Sequence, residues 1–182
     1  MAKIFETNAY QKEIITKITK IDKENKTIEL EDTIFYGQSG GQPGDTGQII
    51  IDGQKIEVKS TIKSEDVIKN ILEDIDNLEI NQEVTAIIDW DKRYKYMRMH
   101  SALHLMCATV PLAVTGGQIG YEKSRLDFND PEKKINKEEI EGKINQLMKH
   151  DHKIIYEYID SKILESQPDL VRTMSVKPPK II

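Results

Sequence analysis

The chain has a single cysteine, Cys107, so no disulfide can close within it. No apolar stretch approaches the ~20 residues that a bilayer-spanning helix requires. The opening Met-Ala-Lys-Ile-Phe-Glu has no signal-peptide apolar run. One thiol and no export signal predict the reducing cytoplasm, without a membrane partner. Arginine is missing from residues 1–90, which carry 10 lysines against 18 acids, whereas residues 91–182 carry 16 Lys plus Arg against 13 acids. The net charge of -5 by itself argues against a polyanionic partner. Its uneven division reopens that reading, because Arg93, Arg98, Arg125 and Arg172 all fall in the basic half, where planar donors suit phosphate.

What is present suffices for a real core: 182 residues, 38% hydrophobic and 31% charged, make one domain or two small ones. The first half reads as β-structure. Branched or alternating runs occupy residues 13–21 and 27–34, and Gly47-Gln-Ile-Ile-Ile-Asp meets Gly53 in an Asp-Gly hairpin step before Lys55-Ile-Glu-Val. Residues 67–72 suit a short helix or a strand, and 82–88 a last strand. From Asp89, a candidate N-cap, the pattern turns helical, with Tyr94, Met97, Leu103 and Val110 as its apolar positions and Pro111 as its stop. Gly116-Gly117 reads as a turn and 124–128 as a strand. Asn136 and Glu139 suggest a capping box for a helix carrying Ile140, Ile144 and Leu147. Residues 153–159 alternate as a strand, and Asp160 or Ser161 suits the cap of a short helix through Leu164. The fold class is therefore α+β, with a β-rich part over 1–88 and an α+β part with an antiparallel sheet over 89–182.

The most informative local feature is His100-Ser101-Ala-Leu-His104. Four-residue spacing puts the second imidazole only about 40° round the helix from the first. Neutral imidazole is a common zinc ligand, so a metal site is one reading; a half-buried pair bonded to backbone or carboxylate is the other. A zinc-protease helix needs Glu directly after the first histidine, and here that residue is Ser101. A metal-bound water would act without a general base from this motif, which suits an activated ester better than a peptide amide.

Just before the histidines, Lys92, Arg93, Lys95 and Arg98 form a basic cluster that reads either as phosphate contacts or as a solvated face. Lys133, Lys134 and Lys137 fit a solvated face. Between two strands runs Gly37-Gln-Ser-Gly-Gly-Gln-Pro-Gly-Asp-Thr-Gly47. It lacks the Gly-Lys-Ser/Thr ending of a phosphate-binding P-loop, but its glycines allow close backbone approach to a ligand or an adjacent domain.

Phe35-Tyr36 leading into Gly40-Gly41-Gln42-Pro43 and Asp45-Thr46-Gly47, then His100-Ser-Ala-Leu-His104, Gly116-Gly117-Gln118 and Arg125-Leu-Asp-Phe128, together resemble the editing domain of alanyl-tRNA synthetase and its free-standing trans-editing relatives. Val171-Arg172-Thr173 with Lys177-Pro178-Pro179 is similar to a later segment of that family. The resemblance covers essentially the whole chain. It implies an N-terminal β-barrel-like domain with a glycine-rich loop, then an α+β editing domain with a His-x-x-x-His helix and a zinc site. The implied activity is hydrolysis of the ester joining serine or glycine to alanine tRNA, an aminoacyl-tRNA deacylase function.

By the same resemblance His100 and His104 match two zinc ligands, Gln118 matches a glutamine of the editing pocket, and all three are the implied catalytic residues. Ser101 stands where threonine is usual. Ser101, Gln118, Gly40 and Gly41 are the implied substrate contacts, and Lys92, Arg93, Lys95 and Arg98 the candidate tRNA contacts. The family's other metal ligands come from a Cys-Gly-Gly-Thr-His-type segment beyond the double proline, which is not matched before Ile182. The expectation is therefore an incomplete zinc site in a truncated chain. Cys107 shares the helical face of the pair, but its Cα lies ~10 Å from that of His100, and it reads as a buried apolar residue. His150 and His152 read as solvated or strand-entry residues. Three alternatives remain: a partner chain that completes the site, a tRNA-binding module without catalysis, and an editing domain of the threonyl-tRNA synthetase type.

Overall fold

The computed structural model describes residues 1–155 and 159–167, and clusters into two compact units, Met1–Met97 and Arg98–Ile182. The first unit begins with β1 (Ala2–Lys3) and a single turn of helix, α1 (Ile4–Thr7). Six strands then close a barrel: β2 (Glu13–Asp22), β3 (Thr27–Leu30), β5 (Gly47–Ile51), β6 (Gln54–Ser64), β7 (Val67–Leu72) and β8 (Glu83–Ile88), in the order β2-β3-β7-β6-β5-β8. Every barrel pairing is antiparallel. Closure leaves these strands no free edge of unpaired backbone. The short β4 (Asp32–Thr33) pairs in parallel with β1.

The period-2 pattern decides which residues enter the barrel. Thr16 and Ile18 of β2, Ile68, Asn70 and Leu72 of β7, and Val84, Ala86 and Ile88 of β8 are buried at alternate positions, and the residues between them are more open. Ile28, Leu30, Ile49, Ile56 and Val58 complete the interior, capped by Ile34 and Phe35. Residues 67–72, readable as helix or strand, are the strand β7, because its backbone pairs with both β3 and β6. The Asp52-Gly53 step makes the expected turn, with φ of 48° and 81° at its two residues.

In the second unit a two-stranded antiparallel ribbon joins β9 (Val114–Gln118) to β10 (Arg125–Phe128). Gly116 and Gly117, read as a turn, are instead strand residues opposite Asp127 and Leu126. A Cβ at Gly116 would lie 3.0 Å from the Asp127 carboxylate, and one at Gly117 3.0 Å from Leu126 Cδ1, so these glycines accommodate cross-strand side chains. Helix α3 (Lys137–Lys149) starts at Asn136, whose Oδ1 accepts from the Glu138 and Glu139 amides at 3.1 and 3.2 Å. Glu139 pairs with Lys143 Nζ at 2.6 Å. Helix α4 (Ser161–Ser166) starts at Asp160, which accepts from the Lys162 amide at 2.8 Å. Of the run 153–159 expected as a strand, residues 153–155 and 159 are exposed and irregular, and residues 156–158 lie outside the described residues. Residues 171–173 and 177–179 lie outside the described residues.

Candidate functional site

Helix α2 (Trp90–Thr109) carries both the basic cluster and the histidine pair. Asp89 caps it: its Oδ1 accepts from the Lys92 amide at 3.2 Å, while its carbonyl accepts from the Arg93 amide at 3.0 Å. The rings of His100 and His104 lie 5.0 Å apart between centroids, with planes 14° from parallel. His100 is half-buried and His104 is exposed. Burial, reinforced by the neighbouring His104, holds His100 below the ordinary histidine pKa and favours its neutral form, the form that ligates metals.

Two imidazoles on one tetrahedral zinc, with Zn–N of about 2.0–2.1 Å, need ring centroids roughly 5 Å apart. The observed separation fits that span and the donor type is right. The stacked rings must still turn about their Cβ–Cγ bonds to aim one nitrogen each at a common ion. Among the described residues no group of three His, Cys, Asp or Glu side chains is placed to hold a metal. Cys107 is half-buried, and His150 and His152 form an exposed edge-on pair after α3, 5.6 Å apart. Among the described residues, the donors at this pair therefore make a two-point attachment.

The shift of His100 has a thermodynamic consequence. Its folded pKa lies below the unfolded value of about 6.5, so stability is fully present above that pH and is lost as pH falls through the folded pKa. Urea unfolding of the metal-free protein should show a decline from pH 7 towards pH 5.5 that is smaller in His100→Gln; identical pH dependence in the two proteins would refute it.

Ser101 is half-buried beside His100 on α2, and Gln118 ends β9 with its residue exposed, paired in register with Arg125. Gly40 and Gly41 belong to the first unit and form the exposed tip of a tight turn closed by Ser39 N to Gln42 O at 3.2 Å and Gln42 N to Ser39 O at 2.9 Å. Their φ values of +56° and +78° suit a two-residue turn that side chains would strain. Gly44 is required for a different reason, since a Cβ there would overlap the Thr61 carbonyl.

The basic cluster does not act as one group. Arg93, read as a candidate tRNA contact, is only 3% exposed and is committed to the interior of its own unit. Its Nε donates to Asp45 Oδ1 and Oδ2 at 2.8 and 2.9 Å, its Nη2 to Asp45 Oδ2 and to Ile34 O, the latter at 2.6 Å, and its Nη1 to Ala9 O at 3.4 Å. A guanidinium so engaged has no fork left to offer a phosphate. Burial pushes the Asp45 carboxyl up, opposed by Arg93 and by the Tyr36 amide that donates to it at 2.7 Å. Lys92 reaches Thr46 Oγ1 at 3.4 Å, Lys95 is half-buried, and Arg98 is exposed.

The Asp45–Arg93 pair, 48 residues apart in the chain, was hidden from local pattern. It also corrects the face assigned to the helix. Of the apolar positions Tyr94, Met97, Leu103 and Val110, Val110 is buried and Met97 and Leu103 are half-buried, but Tyr94 is 40% exposed while Arg93 and Tyr96 are buried, because the ion pair turns the charged position inward.

The family described as "tRNA synthetases class II (A)" matches residues 1–92. The alanyl-tRNA editing protein AlaX-M of Methanosarcina mazei is 31% identical over 183 residues, covering 92% of this chain and 71% of the relative. AlaX-M of Saccharolobus solfataricus is 31% identical over 182 residues, covering 96% of this chain and 75% of the relative. The alanine–tRNA ligase of Staphylothermus marinus is 33% identical over 166 residues, covering 88% of this chain but 18% of that enzyme.

Proposed function

The chain belongs to the family of alanyl-tRNA synthetase-related editing proteins, and we propose that it hydrolyses the aminoacyl ester of alanine tRNA mischarged with serine or glycine. The observation that carries this reading is similarity to two AlaX-M editing proteins over more than nine-tenths of the chain. In the reaction, water adds to the ester carbonyl carbon, the carbonyl–ribose oxygen bond breaks, and the ribose hydroxyl leaves with a proton. His100 and His104 are the residues that would hold zinc, their separation fitting one ion. Bound there, zinc would polarise the ester or lower the pKa of a water.

The chain's own groups account for binding and selection. Ser101 supplies a hydroxyl next to His100, and Gln118 an amide that can both donate and accept. Polar groups of this kind select a hydroxyl-bearing amino acid more sharply than a difference of one methyl can. Lys92, Lys95 and Arg98 are the remaining candidates for phosphate contact once Arg93 is assigned to the interior. Gly40 and Gly41 offer backbone without side chains to the substrate RNA. The proposed division of labour places the glycine-rich β domain at 1–88 and the editing domain at 89–182, in a cytoplasmic protein.

Comparing serylated alanine tRNA with serylated threonine tRNA, with zinc supplied, tests the substrate. Faster deacylation of the alanine tRNA is expected; equal rates or the reverse order would favour the threonyl-type reading. With two imidazoles as the ligands, zinc should be held weakly and be largely lost on dialysis. Stoichiometric zinc surviving dialysis would instead mean that Cys107, His150, His152 or an acid completes the site.

One observation favours a second reading, a tRNA-binding module without catalysis: no third metal donor joins the histidines among the described residues. It predicts salt-dependent tRNA binding with no deacylation even in added zinc.

A further inference from the structure

Beyond the residues assigned above, the first unit presents an unexplained aromatic surface. Trp90 and Tyr94, one turn apart on α2, stack with centroids 5.5 Å apart and planes 20° from parallel. Tyr10 joins them, 5.5 Å from Trp90 and 6.4 Å from Tyr94. Trp90 is half-buried and packs on the barrel core, but Tyr10 is 63% exposed and Tyr94 40%. Exposed aromatic residues occurring singly are ordinary; three in mutual contact, including the chain's one tryptophan, form a contiguous patch of the kind found at interaction sites.

The cluster is held in place from both sides. Ala9 O accepts from Arg93 Nη1 at 3.4 Å, and Lys12 O accepts from the Ile88 amide at 3.0 Å. Tyr10 therefore projects from a segment tied down just before and just after it. The backbone on either side of Tyr10 is thus held, so binding at its ring orders less chain than it would on a free loop.

Charge selects among occupants. The Lys12 ammonium lies 4.7 Å from the Trp90 ring centroid, the one cation among the described residues placed against the cluster; along α2, Asp89 and Asp91 flank Trp90 while Lys92, which reaches Thr46 Oγ1 at 3.4 Å, and Lys95 flank Tyr94. Apolar rings bordered by a cation suit an unpaired nucleotide, whose base stacks while its phosphate meets the lysine. An apolar protein segment would use the rings but bring no anion to the Lys12 ammonium beside them.

We propose that Tyr10, Trp90 and Tyr94 form a stacking platform for an unpaired nucleotide of the RNA substrate, with Lys12 beside its phosphate. Trp90 is the backing ring, and Tyr10 and Tyr94 are the outer surfaces. This rests on the tRNA-editing reading and adds to it a contact on the first unit, separate from the histidine helix segment.

The single tryptophan makes the test direct. Trp90 fluorescence of the full chain is followed during titration with a single-stranded tetraribonucleotide, the same sequence in a blunt duplex, inorganic polyphosphate, and an apolar peptide. Saturable quenching by the single strand is expected, weakened about 5- to 150-fold by Tyr94→Ala or Tyr10→Ala and restored by Tyr94→Phe or Tyr10→Phe. The phenylalanine variants keep the ring and guard against misfolding as an explanation. No quenching by the single strand, equal quenching by polyphosphate or duplex, quenching by the peptide alone, or alanine variants that bind unchanged would each overturn the platform. Deacylation of serylated alanine tRNA is measured in parallel. Deacylation persisting without quenching removes the platform and leaves the editing reading standing, whereas loss of both removes the two together.

Discussion

Asp45→Asn should lower the unfolding free energy by about 3–5 kcal/mol, the cost of leaving one member of a buried ion pair without its partner. Arg93 stays positive at any pH the fold tolerates. With a neutral amide at position 45, its charge remains enclosed by Ile34, Ala9 and the barrel end, with only carbonyl oxygens to face. Damage also reaches the glycine-rich segment, because Asp45 closes it twice: its amide donates to Tyr36 O at 2.9 Å and its Oδ2 accepts from the Tyr36 amide at 2.7 Å. Urea midpoints at unchanged slope measure the effect. Asp45→Asn combined with Arg93→Met should recover much of the loss, since no charge is then buried. A single-variant loss under about 1 kcal/mol would mean that water reaches the pair and screens it.

Replacing either His100 or His104 by Ala should reduce deacylation of serylated alanine tRNA by about 100-fold or more, with zinc supplied throughout. Each variant leaves a single imidazole, and one ligand cannot fix an ion in a defined geometry. Stability should change little for His104→Ala, since that side chain is exposed, so loss of rate there reads on chemistry instead of folding. His100→Ala also removes a half-buried ring and is the less clean of the two. Binding of uncharged alanine tRNA is the companion measurement. Unchanged affinity with lost rate places the pair at the reacting ester; parallel loss of both places it in RNA binding. Wild-type rates in both variants would remove the histidine pair from the mechanism.

Local patterns carried much of the fold. Alternation in residues 13–21 and 82–88 marked strands because a barrel strand buries every second side chain, and Asp52-Gly53 marked its turn because both residues need positive φ. Asn136 marked a helix start because its side chain satisfies amides that the helix leaves unpaired. The histidine spacing likewise placed both rings together on one helical face. Other patterns misled. Gly116-Gly117 has the composition of a turn, yet small residues serve equally where a facing strand sends in Asp127 and Leu126. Arg93 has the look of a surface cation in a basic cluster, and nothing within several residues of it signals a carboxylate 48 positions earlier.

The sequence by itself determined the elements whose cause is local: strand alternation, tight turns, helix caps and the relative position of two histidines one helical turn apart. It also determined the family, through ordered motifs spread along the chain. The tertiary structure alone decided which face of α2 is buried, that Arg93 is withdrawn from any nucleic-acid surface, and that Tyr10 comes to lie against Trp90 and Tyr94. The physical reason is the range of the forces involved. Periodicity and capping act over a few residues, whereas a buried charge is tolerable only where the closed barrel brings its counter-charge from a distant strand connection.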